Sequence, residues 1–393
     1  MKVAIVLASP LPVPSVKGGA IETLVTNLID QNEVFKELAL SIFSTFDHEA
    51  VIESKKYKFT HFYWIRYNLL NKAINLITRT YSKITGAEVP HFGILQTINK
   101  LKSGDFDYVV VEGSIQMLAA ISQRFNNSRI YFHLHSATLF ANPEVYNFCR
   151  KVIVVSDFLK SQVVLRTGLK SDSIAVLKNC IDLEKFTRID NERARLEVRR
   201  KYKIPDDEIV VCFVGRIDEG KGVRELFRAL SITPRSLKYS LLVIGSSGLS
   251  FGKSKIETPY YKEIVAKALS LKHNVIFTGF VHNDRIPEML SASDILVVPS
   301  TGEEAQGLTV LEGFAAGLPV VTTDSGGIPE NISMDCAVMI RRDEEMIYNL
   351  SLAIQNLILS NEKRQQMGNA GLNHVKPYNC VDYYRNFINI LIS

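Results

Sequence analysis

Two carboxylates, Glu304 and Glu312, are the residues of this chain whose placement most directly suggests chemistry. An apolar run, Ile295-Leu296-Val297-Val298-Pro299-Ser300, stands before them and Gly317-Leu318-Pro319 follows, leading into a second run, Val320-Val321-Thr322-Thr323. This pattern predicts a buried strand, a short polar loop holding Glu304, and a helix that starts near Gly307 and carries Glu312 about one and a half turns in. The free N–H groups at such a helix start form an anion site, reinforced by the helix dipole. A carboxylate cannot itself bind phosphate, so hydroxyl groups are the natural partners of Glu304 and Glu312. The combination suits a diphosphate joined to sugars on both sides, as in a nucleotide-sugar.

A second group lies upstream. Gly215-Arg216-Ile217-Asp218-Glu219-Gly220-Lys221-Gly222 follows the strand-like run Ile209–Val214 and precedes a helix through Leu226 and Leu230. Two cations with glycines that admit close backbone approach suit a diphosphate, and strand C-terminal ends face the ligand crevice in doubly wound sheets. Lys17-Gly18-Gly19 occupies the equivalent position after the first strand, ahead of a helix with Glu22. His133 and His135 end the run Arg129–Ser136, and alternation puts both on one side of the strand; no third metal ligand with suitable spacing is evident nearby.

These residues need elements to hold them. Apolar runs recur at Val3–Ala8, Tyr108–Val111, Ile130–Leu134, Val152–Val155, Ile209–Val214, Leu241–Ile244, Val275–Phe277, Ile295–Val298 and Val320–Thr322. Strands apolar throughout belong to parallel sheets covered on both faces, and alternation with helices gives the doubly wound pattern. Ile21, Leu24, Val25, Leu28 and Ile29 form a buried helical stripe, with Glu22, Thr23, Thr26 and Asn27 on the opposite, polar face. A chain of 393 residues is long enough for two such domains. The break falls in Ser171–Arg188, giving domains 1–178 and 179–379. A last amphipathic helix within 380–393 presents Val381, Tyr384, Phe387, Ile388 and Leu391 on one face.

Composition narrows the class. Five scattered cysteines, never in a C-x-x-C pair, argue against a disulfide framework or zinc site and for a reducing cytoplasm. A net charge of +5 is too diffuse for nucleic acid but favours pyrophosphate or an anionic surface. The apolar start ends at Ser9-Pro10 without a cleavage site, reading as a strand and not a signal peptide, and no run reaches transmembrane length. Between Tyr57 and Phe92, Phe59, Phe62, Tyr63, Trp64, Tyr67 and Tyr81 mingle with Lys58, Arg66, Lys72, Arg79 and Lys83. Such an amphipathic, aromatic and basic stretch could touch the inner face of a membrane or a lipid-linked acceptor.

The block Pro299–Glu330, with Gly215–Gly222 ahead of it, resembles the signature of the retaining, family-four glycosyltransferases of the GT-B fold. The resemblance covers nearly the whole chain and is most specific from Val211 to Glu330. It implies an α/β architecture of two doubly wound, Rossmann-like domains facing each other across a cleft, with the terminal helix crossing back to the first. It implies that Glu304 faces the donor sugar, that Glu312 holds the ribose diol, and that the amides of Gly307, Leu308 and Thr309 hold the distal phosphate. Arg216 and Lys221 would hold the two phosphates and stabilise the departing nucleotide in place of a metal ion. Gly18 and Gly19 would border the departing phosphate or the acceptor, and His135, nearer the crevice than His133, would touch the donor sugar. Phe280 and Val281, in the turn Gly279–His282, would line the base, with His282 as a further base contact and Ser325-Gly326-Gly327 as another glycine turn at a strand end. Cys180 stands where the family's linker has glycine.

Asp105-Phe106-Asp107 resembles the D-x-D metal motif of GT-A enzymes, but it precedes its strand and so lies at the wrong sheet edge; no metal and no cofactor are expected. The expected activity is transfer from a nucleotide-sugar, UDP-linked, to a hydroxyl of a glycan or lipid-linked saccharide in bacterial cell-surface polysaccharide assembly. The alternatives are a UDP-sugar 2-epimerase-like enzyme on the same fold and a non-catalytic coat or scaffold protein.

Overall fold

The computed structural model describes residues 1–66, 92–102, 104–136, 143–247, 258–271 and 273–393. Tyr67, Lys72, Arg79, Tyr81 and Lys83 of the aromatic and basic stretch lie outside them. The chain forms two compact units: Met1–Lys178 together with Cys380–Ser393, and Asn179–Asn379.

The first unit is a seven-stranded sheet of β1 (Lys2–Leu7), β2 (Ala39–Thr45), β3 (Thr60–Ile65), β4 (Tyr108–Glu112), β5 (Ile130–Leu134), β6 (Lys151–Val154) and β7 (Ile174–Val176). Their spatial order is β3-β2-β1-β4-β5-β6-β7, and every pairing is parallel. The second unit holds β8 (Ile209–Val214), β9 (Tyr239–Ile244), β10 (Asn274–Gly279), β11 (Ile295–Val298), β12 (Val320–Thr323) and β13 (Ala337–Ile340). Its order is β10-β9-β8-β11-β12-β13, again parallel throughout. Both sheets reverse strand order once, between β1 and β4 and between β8 and β11. Ligands of doubly wound sheets bind outside the strand C-terminal ends at these switch points.

The second sheet shows why its strands are apolar throughout. Val210, Cys212, Leu242, Ile244, Leu296 and Val298 enter one core, with Val310, Leu311 and Phe314 of the helix Leu308–Ala315. Their alternates Val211, Phe213, Leu241, Val243, Ile295 and Val297 enter the other, with Leu226 and Leu230 of the helix Val223–Ser231. With both faces covered, period-2 alternation leaves no solvent side for polar residues.

The terminal helix Cys380–Ile392 packs within the first unit. Tyr384 stacks on Phe35, its hydroxyl donates to Asn32 Oδ1 at 2.8 Å, and the Tyr131 hydroxyl donates to the Leu391 carbonyl at 2.9 Å. In the second unit, Ile181 donates its N–H to the Tyr378 carbonyl and bridges Asn379.

Two sequence expectations fail here. On the helix Ala20–Phe35, Glu22 and Asn27 are buried, at 4% and 7% exposure, and do not form a polar outer face. Nor is Thr60–Ile65 part of an amphipathic helix: it is the edge strand β3. There Phe62 stacks on Trp64 along one face, while Tyr63 stacks on Phe43 along the other. Aromatic residues alternating across a pleat give the same sequence texture as an interfacial helix, and pairing with β2 decides between them. Among the described residues no helix is long and apolar enough to cross a membrane.

Candidate active site

In the second unit the loops after β8 and β11 meet. Thr301 and Gly302 donate their N–H groups to the Gly220 carbonyl at 3.0 and 2.9 Å, and the Thr301 hydroxyl donates to the Glu219 carbonyl. This joins Lys221 to Glu304: Nζ lies 2.6 Å from Oε1, and the same oxygen accepts the Ser300 hydroxyl at 2.7 Å. Lys221 and Glu304 are 28% and 17% exposed, so the ion pair can still be reached from solvent. A diphosphate offered to Lys221 would compete with Glu304 for the ammonium and leave the carboxylate free to accept from sugar hydroxyls.

The backbone of Glu304 is fixed from behind by Ser325-Gly326-Gly327. The Ser325 hydroxyl accepts the Glu304 N–H at 3.1 Å, and the Gly327 N–H donates to the Glu304 carbonyl at 2.8 Å. Gln306, 2% exposed, accepts the Asn179 N–H at 2.7 Å, tying this loop to the first residue of the unit. Ser300 and Gln306 escaped the sequence reading, because isolated polar residues beside a motif carry no periodic signal.

Gly307 starts the helix Leu308–Ala315 at φ +86°, and a Cβ there would fall 2.6 Å from Ile328 Cγ1. Only glycine fits, and it brings no side chain to cap the helix. The Leu308 and Thr309 N–H groups therefore point outward at a bare helix start, the setting that favours an anion. Glu312 follows in the same helix. Its surroundings desolvate it enough to push its carboxyl up to about 7, although its edge reaches solvent. Among the described residues the Glu312 side chain has no ion-pair or hydrogen-bond partner.

Arg216 is not drawn into this group. Its side chain is 58% exposed and lies 3.4 Å from Asp218. Phe280 and Val281 follow β10, two strands away from β8 along the same sheet edge. Phe280 is half-exposed, Val281 packs against the core, and His282 caps a short turn by accepting from the Asp284 N–H. Asp105 and Asp107 sit before β4, at the opposite edge of the first sheet, where the Asp107 carboxylate accepts the Lys2 N–H at 2.8 Å.

In the first unit, the C-terminal ends of β1, β4 and β5 bring together a second polar group. Gly19, at φ +101°, opens the helix Ala20–Phe35, and a Cβ on it would strike the Glu22 carboxylate at 2.0 Å. Glycine thus lets Glu22 fold back against the backbone at its own helix start. Burial raises the Glu22 carboxyl above its ordinary range; Ser9 opposes this by hydrogen bonding, and the charge of Glu112 adds to it. Lys17 pairs with Glu49.

Glu112 corrects the expectation that no third ligand stands near the histidines. It ends β4, in register with Leu7 on one side and His133 on the other. Its Oε2 lies 2.6 Å from His135 Nε2 and 3.1 Å from His133 Nδ1, and the three side chains cluster tightly enough to enclose a cation. The His133 contact lacks hydrogen-bond direction, which leaves both ring nitrogens of this fully buried residue without a partner. Burial alone would raise the Glu112 carboxyl, but the charge of nearby His133, with attraction and a hydrogen bond from His135, outweighs it and brings it down to about 2. The signal for Glu112 was a carboxylate closing an otherwise apolar strand, a position where a solvated strand end is the ordinary reading.

Known proteins agree with this anatomy. The profile of the family described as glycosyl transferases group 1 matches residues 194–374. The spore coat protein SA of Bacillus subtilis is 26% identical over 380 residues, 94% of this chain and 93% of that protein. The lipopolysaccharide 1,2-N-acetylglucosaminetransferase of Salmonella typhimurium is 27% identical over 276 residues, 70% of this chain and 69% of that protein. The crystal structure of Anabaena Alr3699/HepE in complex with UDP and glucose superposes with a TM-score of 0.75 at 17% identity, covering 100% of this chain and 99% of that one. Two parallel Rossmann-like sheets with a terminal helix returned to the first are thus the GT-B fold, and the chain is a nucleotide-sugar-dependent glycosyltransferase whose residues 194–374 match the glycosyl transferases group 1 family.

Proposed function

We propose that the chain transfers a hexosyl group from a UDP-sugar to a hydroxyl of a glycan or lipid-linked saccharide, with retention and without a metal, in cell-surface polysaccharide assembly. The observation that carries this reading is Glu312, a desolvated and unpartnered carboxylate just inside a bare helix start. Keeping such a group from water without a partner costs stability, which a ribose diol donating to it would recover. Leu308 and Thr309 then face the distal phosphate, Lys221 and Arg216 neutralise the diphosphate, and Glu304 takes the sugar. His135, with Gly18 and Gly19, serves the sugar and acceptor side, and Phe280 and Val281 serve the base. UDP is favoured because it is the nucleotide held by Alr3699/HepE, and a surface glycan because the Salmonella relative is a lipopolysaccharide transferase.

In this scheme the anomeric carbon loses its bond to the β-phosphate oxygen and gains one to the acceptor oxygen on the same face. The acceptor proton passes to the departing phosphate. Arg216 and Lys221 act where negative charge develops, the usual seat of the largest catalytic contribution. A coat or scaffold role, which the name of the Bacillus relative suggests, has no use for an unpartnered, desolvated carboxylate.

A panel of UDP, GDP and ADP, followed by their sugars, tests the proposal by thermal shift and product analysis. UDP at about 100 times its Kd is expected to stabilise the chain by about 2.7 kcal/mol. Transfer should continue in EDTA, and the product's anomeric coupling constant should match that of the donor. Inverted product, an epimerised sugar without acceptor, or turnover lost on chelation and restored by Mn²⁺ would each overturn the corresponding part of the reading.

A further inference from the structure

The proposed reaction leaves Glu112 without a task, although it is the centre of the cluster at the ends of β4 and β5. Its carboxylate is buried and ionised, and an ionised carboxylate only accepts hydrogen bonds. The 2.6 Å contact therefore requires His135 to donate from Nε2. Burial, helped by His133 and opposed by Glu112, lowers the affinity of His135 for a second proton. A neutral imidazole that donates from Nε2 carries its lone pair on Nδ1.

His133 narrows the freedom of the ring further. It is fully buried, and its ring centroid lies 4.1 Å from that of His135 at a 46° tilt. Glu22, from the helix Ala20–Phe35, adds a carboxyl whose interaction with Glu112 is unfavourable if both are ionised. Two carboxyl groups and two imidazoles thus share one strand-end cluster, and His135 is its most exposed ring. Among the described residues, Glu112 is the only hydrogen-bond partner of the His135 ring.

We propose that Glu112 is a positioning residue that holds His135 in the Nε2–H tautomer, so that Nδ1 meets the donor sugar as a hydrogen-bond acceptor. This rests on the reading of His135 as a sugar contact. It also sets a specificity rule. The sugar must present a hydroxyl that donates at this atom, and an ether or carbonyl oxygen there cannot bind. Replacing that hydroxyl by fluorine removes the donor and leaves the sugar's shape nearly unchanged.

The test combines a spectroscopic readout with turnover in the full chain. Histidine is labelled with ¹⁵N, the His135 signals are assigned with His135→Gln, and long-range ¹H–¹⁵N spectra report the tautomer. UDP release from UDP-glucose and UDP-N-acetylglucosamine, using whichever is turned over, reports kcat. The expected result is Nε2–H in the wild type, lost in Glu112→Leu and retained in Glu112→Gln, whose carbonyl still accepts. Turnover should fall on the order of 10-fold or more in Glu112→Leu, be largely restored in Glu112→Gln, and leave UDP affinity unchanged. In a His135→Ala background, Glu112→Leu should cause no further loss. One of the deoxyfluoro donor analogues should lose the effect of His135→Ala.

An Nδ1–H tautomer in the wild type would overturn the proposal, as would full turnover in a folded Glu112→Leu variant or additive losses in the double variant. Turnover abolished by a chelator and regained with Zn²⁺ would make the cluster a metal site and overturn it as well. Full turnover in His135→Ala would instead remove the underlying sugar contact, while the spectrum still reports separately on Glu112.

Discussion

Replacing Glu312 by glutamine is expected to stabilise the free protein at alkaline pH while weakening nucleotide binding. The ordinary carboxyl value is 4.5, and desolvation carries the folded one to about 7. Between these limits the folded chain holds a proton that the unfolded chain has released, so stability falls as pH rises through the window. The contribution is complete below about 4.5 and lost above about 7. At about 1.4 kcal/mol per tenfold change in proton affinity, the ceiling is about 3 kcal/mol. Because the edge of Glu312 reaches solvent, about 1–2 kcal/mol is the realistic effect. Glutamine keeps the shape and removes the titration. The variant should therefore match the wild type near pH 4.5 and melt higher at pH 8, by about 2–8 °C at 2–4 °C per kcal/mol for a domain of this size. Scanning calorimetry across pH, without nucleotide, makes the measurement. In parallel, titration with UDP at pH 8 should show a loss of roughly 1–3 kcal/mol for a charge-assisted bond. Wild-type binding at pH 6 should release about one proton. Superimposable stability curves for the two proteins would show that Glu312 is solvated and ionised when free, and the reasoning would fail.

Alanine at Arg216 or Lys221 should reduce kcat on the order of 100-fold with a UDP-sugar; near-normal turnover would reduce the pair to a solvated turn. Tyr384→Phe removes the hydroxyl that reaches Asn32 and should cost about 1 kcal/mol in urea unfolding; no change would show that the terminal helix is held by its apolar face alone. Arg199, 2% exposed, bonds to Asp294 and to the carbonyls of Pro205, Asp206, Glu208 and Ala292. Arg199→Met should cost about 3–5 kcal/mol, and a melting temperature within a degree of wild type would refute that. Neutralising Lys58, Arg66, Lys72 and Arg79 together should abolish salt-sensitive sedimentation with anionic liposomes; wild-type protein left in the supernatant at low salt would end the membrane-contact proposal.

The central strands were legible because burial on both faces leaves a run with no polar break, as in Ile209–Val214 and Ile295–Val298. The strands that were missed lie mostly at sheet margins. β3 and β13 are edges whose residues are partly exposed, β7 has three residues, and β2 is interrupted by Ser41, Ser44 and Thr45. The helix start at Gly307 was equally legible, since a glycine between a polar loop and an apolar stripe has few other uses. Glu22 and Glu112 were not. A charged residue is read as solvated unless its partner is known, and Gly19, Ser9, His133 and His135 become partners only when β1, β4 and β5 stand side by side. The Lys221–Glu304 pair likewise joins residues 83 apart in sequence, and only the switch between β8 and β11 makes them neighbours.

The second unit enters and leaves through adjacent backbone: Ile181 hydrogen-bonds Tyr378 and bridges Asn379. It is therefore an insertion within the first unit, whose last helix is made only after the insertion is complete. During synthesis the usual order of folding is reversed. The later unit can close while the earlier one still lacks Tyr384, Phe387 and Leu391, which are buried in the finished fold. Until that helix is made, the side of Ala20–Phe35 that it covers stands open, so a nascent chain stalled before residue 380 exposes a surface that a chaperone would bind. The same adjacency makes Asn179–Asn379 a cassette that can be exchanged between relatives at a single locus, carrying the Glu304–Glu312 block with it and leaving the Glu112 cluster behind.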